Sequence, residues 1–370
     1  MRRDLPQCIW TSDPGSFAQR TIVERKPRII AQVLETNTLT ADVRAALQDF
    51  LGEMRDGVVT HPFTEGRFSA EAFEVEERRA WDQQISTWAG RSWLDIPWYF
   101  AEAFFYLKLL AVVGHFDSAA PGPDPFAVLK QRELMGAHGG RDSARLILGA
   151  VAGADREESL SFLLHSTLWG NRVDLSTFVI DETQRGRLLS RDSGNLLIDQ
   201  SEDILAALRS ARRVHVILDN AGAELVSDLL LAGRLLDDGT AGISGGMEIT
   251  LHAKRSPFFV SDATQKDVLS TVGALESDTD PLTAAAGHRI QKHIDAGRII
   301  VTSHWFWNSA LHFTMLPREL GAAFAGADIV ILKGDANYRR ILEDRKWESW
   351  RNLEELAAYF PAPFACLRTM

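Results

Sequence analysis

Cysteine is nearly missing from this chain. Cys8 and Cys366 are the two thiols in 370 residues, near opposite ends and in no C-x-x-C pair. That disfavours a disulfide framework or a thiolate zinc site and suits a reducing compartment, so a cytoplasmic protein is expected. A basic surplus is missing too. The formal net charge is −10, whereas a nucleic-acid surface needs a basic face, so no nucleic-acid partner is expected. A small anionic substrate stays open, because a few lysines and arginines make a local positive pocket. No membrane-length apolar run occurs: the greasiest stretch, 97–116, is broken by Glu102 and Lys108. It reads as a buried helix, and no membrane partner is expected. Met1-Arg2-Arg3-Asp4-Leu5-Pro6 leads into no apolar core of signal-peptide length. Internal repeats, low-complexity tracts and the P-loop lysine pattern are absent, and the last of these disfavours nucleotide hydrolysis.

What is present is ordinary for a globular protein: 45% hydrophobic and 24% charged residues. The length favours two packed units. The first third has apolar residues at three- and four-residue spacing over 22–34, 40–54, 81–93 and 96–116, with Thr40 and Asp42 as start signals. In the long apolar helix, Glu102 and Tyr106 share a face, so the carboxylate either finds a buried partner or lines a cavity. A loop follows at Pro121-Gly122-Pro123-Asp124-Pro125, then a helix over 160–169 closed by Gly170-Asn171.

The period then changes. Strand patterns at 177–180, 195–198, 214–218, 248–251, 258–260, 298–301, 329–332 and 364–367 alternate with helical patterns at 201–211, 224–236 and 282–296. Such alternation predicts an α/β fold: a three-layer α/β/α sandwich on a mainly parallel sheet, preceded by an all-helical N-terminal part. The boundary is expected near residue 165, giving a helical domain 1–165 and an α/β metal-binding catalytic domain 166–370.

Polar groups gather where strands end. Val216-Ile217-Leu218 stops at Asp219-Asn220, with Gly222 and then a helix-period run from Glu224. Phe258-Phe259-Val260 stops at Ser261-Asp262, and Ile329-Val330-Ile331-Leu332 at Lys333-Gly334-Asp335. Parallel strands bring all three clusters to one rim, beside a helix amino terminus, where open α/β sheets bind ligands. A lone Asp-Asn would do no more than cap the next helix; three clusters together favour a site. Asp219, Asn220 and Asp262 make an all-oxygen set, which suits a hard divalent ion such as Mg²⁺ or Mn²⁺. Such an ion polarises a phosphoryl oxygen and activates water. Lys333 and Arg339 supply cationic charge for a phosphate, and Gly334 permits close backbone approach.

These motifs resemble those of the damage-control phosphatases, in the sugar-phosphate branch related to acidic-residue methyltransferase 1. Leu218-Asp219-Asn220-Ala221-Gly222-Ala223-Glu224, Val260-Ser261-Asp262-Ala263-Thr264 and Lys333-Gly334-Asp335-Ala336-Asn337-Tyr338-Arg339 carry the likeness. Thr21-Ile22-Val23-Glu24-Arg25, Trp169-Gly170-Asn171-Arg172-Val173-Asp174-Leu175 and Asp344-Arg345-Lys346-Trp347 extend it over most of the chain. The resemblance implies a phosphatase using a divalent ion (Mn²⁺, Mg²⁺, Co²⁺ or Ni²⁺) on Asp219, Asn220 and Asp262. It implies catalysis by these three with Lys333, on small phosphate esters of the fructose 1-phosphate kind. It implies substrate contacts from Asp335, Asn337, Tyr338, Arg339 and Glu224, with Asn171 and Asp174 at the rim. An Arg-Thr-x-Lys substrate motif is matched by Arg368-Thr369-Met370, where the sequence ends before the lysine.

Two other activities compete: S-adenosylmethionine-dependent carboxyl methylation, for which no Gly-rich turn follows the first strand, and a metal- and phosphate-binding module without turnover. Gly242-Ile243-Ser244-Gly245-Gly246 spells a hydrolase elbow but follows a loop rather than a strand. Asp219-Asn220 lacks the second aspartate that haloacid-type phosphatases place two residues on. His288 and His293 read as solvated, and Trp305, Trp307 and Trp347 as core.

Overall fold

The computed structural model describes residues 5–62, 72–117, 122–170, 196–237 and 246–369. Five parallel strands form one sheet: β1 (Arg213–Ile217), β2 (Glu248–Ala253), β3 (Ile299–Ser303), β4 (Ile329–Lys333) and β5 (Phe364–Leu367), in the order β3-β2-β1-β4-β5. The strands are short, apolar and rich in Ile and Val, as expected of a sheet covered on both faces. Alternation along them sets the layers. Val214, Ile249, Leu251, Ile299, Ile329 and Ile331 face one helical core, while Ile217, Val330 and Leu332 face a second core of Trp305, Trp307, Phe313, Phe324 and Phe360. The expected α/β architecture with a parallel sheet is therefore present, and Trp305 and Trp307 are core residues.

Helices precede the sheet. In order they are α1 (Lys26–Thr36), α2 (Ala41–Asp56), α3 (Val75–Trp88), α4 (Trp98–Val112), α5 (Ala127–Met135), α6 (Gly140–Val151), α7 (Arg156–Trp169) and α8 (Ser201–Ser210). The first four close a core of their own around α4, every residue of which is buried. Glu102 does find a partner there: its Oε1 lies 2.8 Å from Lys26 Nζ. Lys108 is met by Glu53 and Thr60. Helices α6 and α7 instead pack on the sheet side, against α9 (Ala223–Asp237).

Several local expectations fail. Phe258, Phe259 and Val260 form no strand. They are a turn with φ of 45° at Phe259 and 71° at Val260. The run is apolar because it packs sideways into the core of α4: Phe258 and Phe259 meet the Tyr106 ring at centroid distances of 5.3 and 5.2 Å. Residues 196–198 are not extended in a strand either. The 81–93 helix ends at Trp88, because the buried Trp93 belongs to the loop after it and donates to Glu53. Two further helices, α10 (Gln265–Glu276) and α11 (Pro281–Asp295), lie between β2 and β3, and α10 starts with a Thr264–Asp267 capping box. The shorter α12 (Arg318–Ala325) precedes β4, and α13 (Gly334–Ile341) follows it directly. His288 is exposed, but His293 is largely covered and contacts Asp237. The strand expected at 177–180, with Asn171, Asp174 and residues 242–245, lies outside the described residues. No helix among the described residues is long and apolar enough to cross a membrane.

Candidate functional site

Strand order reverses between β1 and β4, and ligands of open α/β sheets bind at such a switch point, beyond the carboxyl ends of the strands. Asp219 and Asn220 follow β1 at this crevice, and Gly334 follows β4. The two walls touch. Gly334 has φ +78°, and a Cβ on it would fall 2.0 Å from Asp219 Oδ2, so only glycine lets the β4 turn lie against that carboxylate.

Asp262 arrives by a different route from the one the strand pattern suggests. After β2 the chain makes the turn at Phe259 and Val260, and a β-branched residue with positive φ is an outlier that its surroundings must enforce. The turn lays Asp262 antiparallel to Asn220, with Ala263 N donating to Asp219 O at 2.8 Å and Ala221 N to Ser261 O at 2.7 Å. Asn220 Nδ2 donates to Asp219 Oδ2 at 2.8 Å and to Glu224 Oε2 at 3.0 Å, while Ser261 Oγ donates to Asn220 Oδ1. Asp219, Asn220, Asp262 and Glu224 are thus brought together.

Lys333 ends β4 on the face that looks at α9. Its buried ammonium donates to Thr167 O at 2.6 Å and Asp228 Oδ1 at 2.8 Å, and sits 2.8 Å from Glu224 Oε1. Burial opposes its charge, but Asp228 and Glu224 outweigh burial and hold it above the ordinary lysine value. Lys254 forms a second buried pair, its Nζ 3.1 Å from Asp262 Oδ2.

Acidic groups outnumber basic ones at this rim: among the described residues Asp219, Glu224, Asp228 and Asp262 lie with Lys254 and Lys333, and Lys130, whose charge also reaches Asp262, is itself held by Asp124 and Asp267. Burial, then the charges of Glu224 and Asp262, push Asp219 well above the usual carboxylate range. Burial raises Asp262 to about 6 against the pull of Lys254, and raises Asp228 to about 7 against Lys333. In each case burial is the leading cause, and neighbouring carboxylates add to it.

A second network flanks the first. Asp335 pairs with Arg339, and with Arg368 Nε at 2.9 Å; Arg339 Nη1 also reaches Asp344 Oδ1 at 2.8 Å. Arg339 lies against both the Phe17 and Trp98 rings, and Arg368 lies over Tyr338. Burial raises Asp344 to about 7 despite Arg339. Asn337 is buried, its Nδ2 bonded to Lys333 O at 2.8 Å and its Oδ1 unpartnered among the described residues.

The oxygen-rich set suits a hard divalent ion. Among the described residues no three His, Cys, Asp or Glu side chains could hold an ion by themselves, so the Asn220 carboxamide would complete the set. Its Nδ2 faces Asp219 and Glu224, and a half-turn of the amide would present its oxygen there. Two carboxylates and a carboxamide at a rim with more acidic than basic groups fit a divalent cation.

Sequence reasoning gave no role to Asp228 or Lys254, and named Ser261 and Asp344 within motifs without assigning them a role. Asp228 sits four residues after Glu224 on the same helix face, a legible signal. Lys254 directly follows β2, but that strand runs two residues further than the apolar pattern, which hid it.

Fold and rim together define a doubly wound α/β protein with an acidic ligand site at its switch point. Residues 21–370 match the family model for the damage-control phosphatase ARMT1-like domain, and the chain belongs to that family. Damage-control phosphatase ARMT1 of Xenopus laevis is 26% identical over 99% of this chain and 91% of that protein. Its Homo sapiens counterpart is 25% identical over 99% and 91%, and that of Danio rerio 26% identical over 99% and 89%. Among solved structures, a DUF89 family protein from Pyrococcus horikoshii superposes with a TM-score of 0.47 and 17% identity, covering 94% of this chain and 89% of that one. Family membership makes the chain a phosphatase of the metabolite-repair kind, with a small-molecule phosphate ester as substrate.

Proposed function

We propose that the chain is a divalent-metal-dependent phosphomonoesterase acting on sugar phosphates of the fructose 1-phosphate class. The observation that carries this is the rim itself, where Asp219, Glu224, Asp228 and Asp262 gather beside the Asn220 carboxamide, with Lys254 and Lys333 paired to them. Asp219, Asn220 and Asp262 would hold the ion, which supplies Lewis-acid polarisation of a phosphoryl oxygen and activation of water. Net hydrolysis joins a water oxygen to phosphorus and breaks the bond from phosphorus to the ester oxygen, which leaves as an alcohol after taking a proton.

The chain's own residues do the positioning. Glu224 fixes the Asn220 amide through its Oε2, while Lys333 bridges Glu224 and Asp228 and so fixes Glu224. The amino terminus of α9 faces the rim and adds its partial positive charge. Asp335, Tyr338, Arg339 and Arg368 contact substrate beyond the phosphate in this reading. The helical layer, which grips the Asp262 turn through Tyr106, shapes the leaving-group side.

A panel of sugar phosphates and other small esters, assayed for phosphate release with Mn²⁺, Mg²⁺, Co²⁺ or Ni²⁺ and with chelator, tests this. Metal-dependent release from hexose or pentose phosphates is expected. Release that chelation leaves unchanged, or none from any ester, overturns the reading.

A further inference from the structure

Three buried lysines stand near the acidic rim, Lys130, Lys254 and Lys333, and they differ in how many donors are spent. An ammonium group has three. Lys333 uses its full set on Thr167 O, Asp228 and Glu224. Lys130, nearby, is held by both Asp124 and Asp267. Arg339 is likewise shared between Asp335 and Asp344. Lys254 is as buried as Lys333, yet among the described residues its ammonium has one ion-pair partner, Asp262 Oδ2 at 3.1 Å. The face of the Phe259 ring, 6.0 Å away, takes no hydrogen bond from it, and Asp219 feels its charge without an ion pair between them among the described residues.

We propose that Lys254 is the cation that grips the phosphate of the ester, the role that the strand-end pattern assigns to Lys333. The proposal rests on the phosphatase reading above. Lys254 is the residue directly after β2, so it stands at the same rim as Asp219. Its backbone is tied on the far side of Asp262 as well: Lys254 N donates to Ala263 O at 2.8 Å, and Lys254 bridges Thr264. The side chain is therefore aimed from a fixed base. Its one carboxylate partner is also a proposed ligand of the divalent ion. Were Asp262 to hold a divalent ion, the donors of Lys254 would be left for phosphoryl oxygens. A desolvated ammonium beside the metal site is a strong anion hook, because little water screens it. For Lys333 to do the same, it would have to abandon a buried carboxylate.

The test is the binding of inorganic phosphate to the full chain at saturating Mn²⁺, measured by calorimetry, with the Mn²⁺ affinity measured separately. Lys254→Met is expected to weaken phosphate by about tenfold or more, the worth of one charge-assisted hydrogen bond. Lys254→Arg is expected to recover most of that loss. Lys254→Gln reads the same constant should the methionine variant not fold. A folded neutral variant whose phosphate affinity stays within twofold of wild type overturns the assignment, including the case where only Mn²⁺ affinity falls, which marks Lys254 as a mere support for Asp262. Wild-type protein that neither binds phosphate nor hydrolyses any ester overturns the phosphatase reading itself.

Discussion

Replacing Gly334 by alanine adds one methyl group at the point where the β4 turn meets Asp219. That carbon would sit 2.0 Å from Asp219 Oδ2 and 2.2 Å from Cγ. Ordinary contact requires more than 3 Å, so the carboxylate or the turn must retreat by about 1 Å or more. Gly334 also has φ +78°, where an L side chain costs roughly 1–2 kcal/mol. A displacement of about 1 Å at a reacting centre costs on the order of 100-fold in rate, equivalent to about 2.7 kcal/mol of barrier. Gly334→Ala is therefore expected to remain folded, with a modestly lowered melting temperature. It should lose about 100-fold in kcat/KM for phosphate release and bind Mn²⁺ more weakly. Steady-state assays and metal titration on the same preparation check both. A variant with wild-type turnover and metal affinity would refute the close packing of the two walls.

Three further outcomes are expected. Lys26→Met removes the ion-pair partner of Glu102 in the helical core and should cost about 3–5 kcal/mol in denaturant unfolding. The double variant Lys26→Met with Glu102→Leu should recover most of that, and equal loss in both would show that the pair is not coupled. His252 is buried against His215, Trp307 and Phe324, and burial holds its pKa down at about 3. Between pH 3 and the unfolded value near 6.5, only the unfolded chain takes this proton, so stability falls as pH drops below about 6.5, by roughly 1.4 kcal/mol per unit. Raised carboxylates such as Glu77 and Asp344 act in the opposite sense. The histidine is therefore read as the difference between wild type and His252→Gln, which should shrink as pH drops from 6.5 to 5; a pH-independent difference would contradict it. Calorimetric titration with S-adenosylmethionine should give no binding heat, and saturable binding would revive the methyltransferase alternative.

The rule that polar residues gather where parallel strands end found Asp219 and Lys333, because both strands are central and their apolar runs stop at the rim. It found Asp262 for a wrong reason. Phe258 and Phe259 are apolar because they fill the helical core, and the left-handed turn that swings Asp262 back to Asn220 has no glycine to announce it. Lys333 shows a second limit. Sequence places it at the rim, but only the alternation along β4 and the position of α9 show that Glu224 and Asp228 claim its ammonium. Helix α10 was legible in the Thr264–Asp267 capping box and went unread beside the supposed strand.

The central claim is that Asp219, Asn220 and Asp262 share one divalent ion that the phosphatase needs. Mn²⁺ titration of wild type and Asp262→Ala, followed by phosphate release from the same samples, tests it most directly. The account predicts one ion per wild-type chain, with affinity and release both collapsing in the variant. Undiminished Mn²⁺ affinity and full turnover in Asp262→Ala would contradict it.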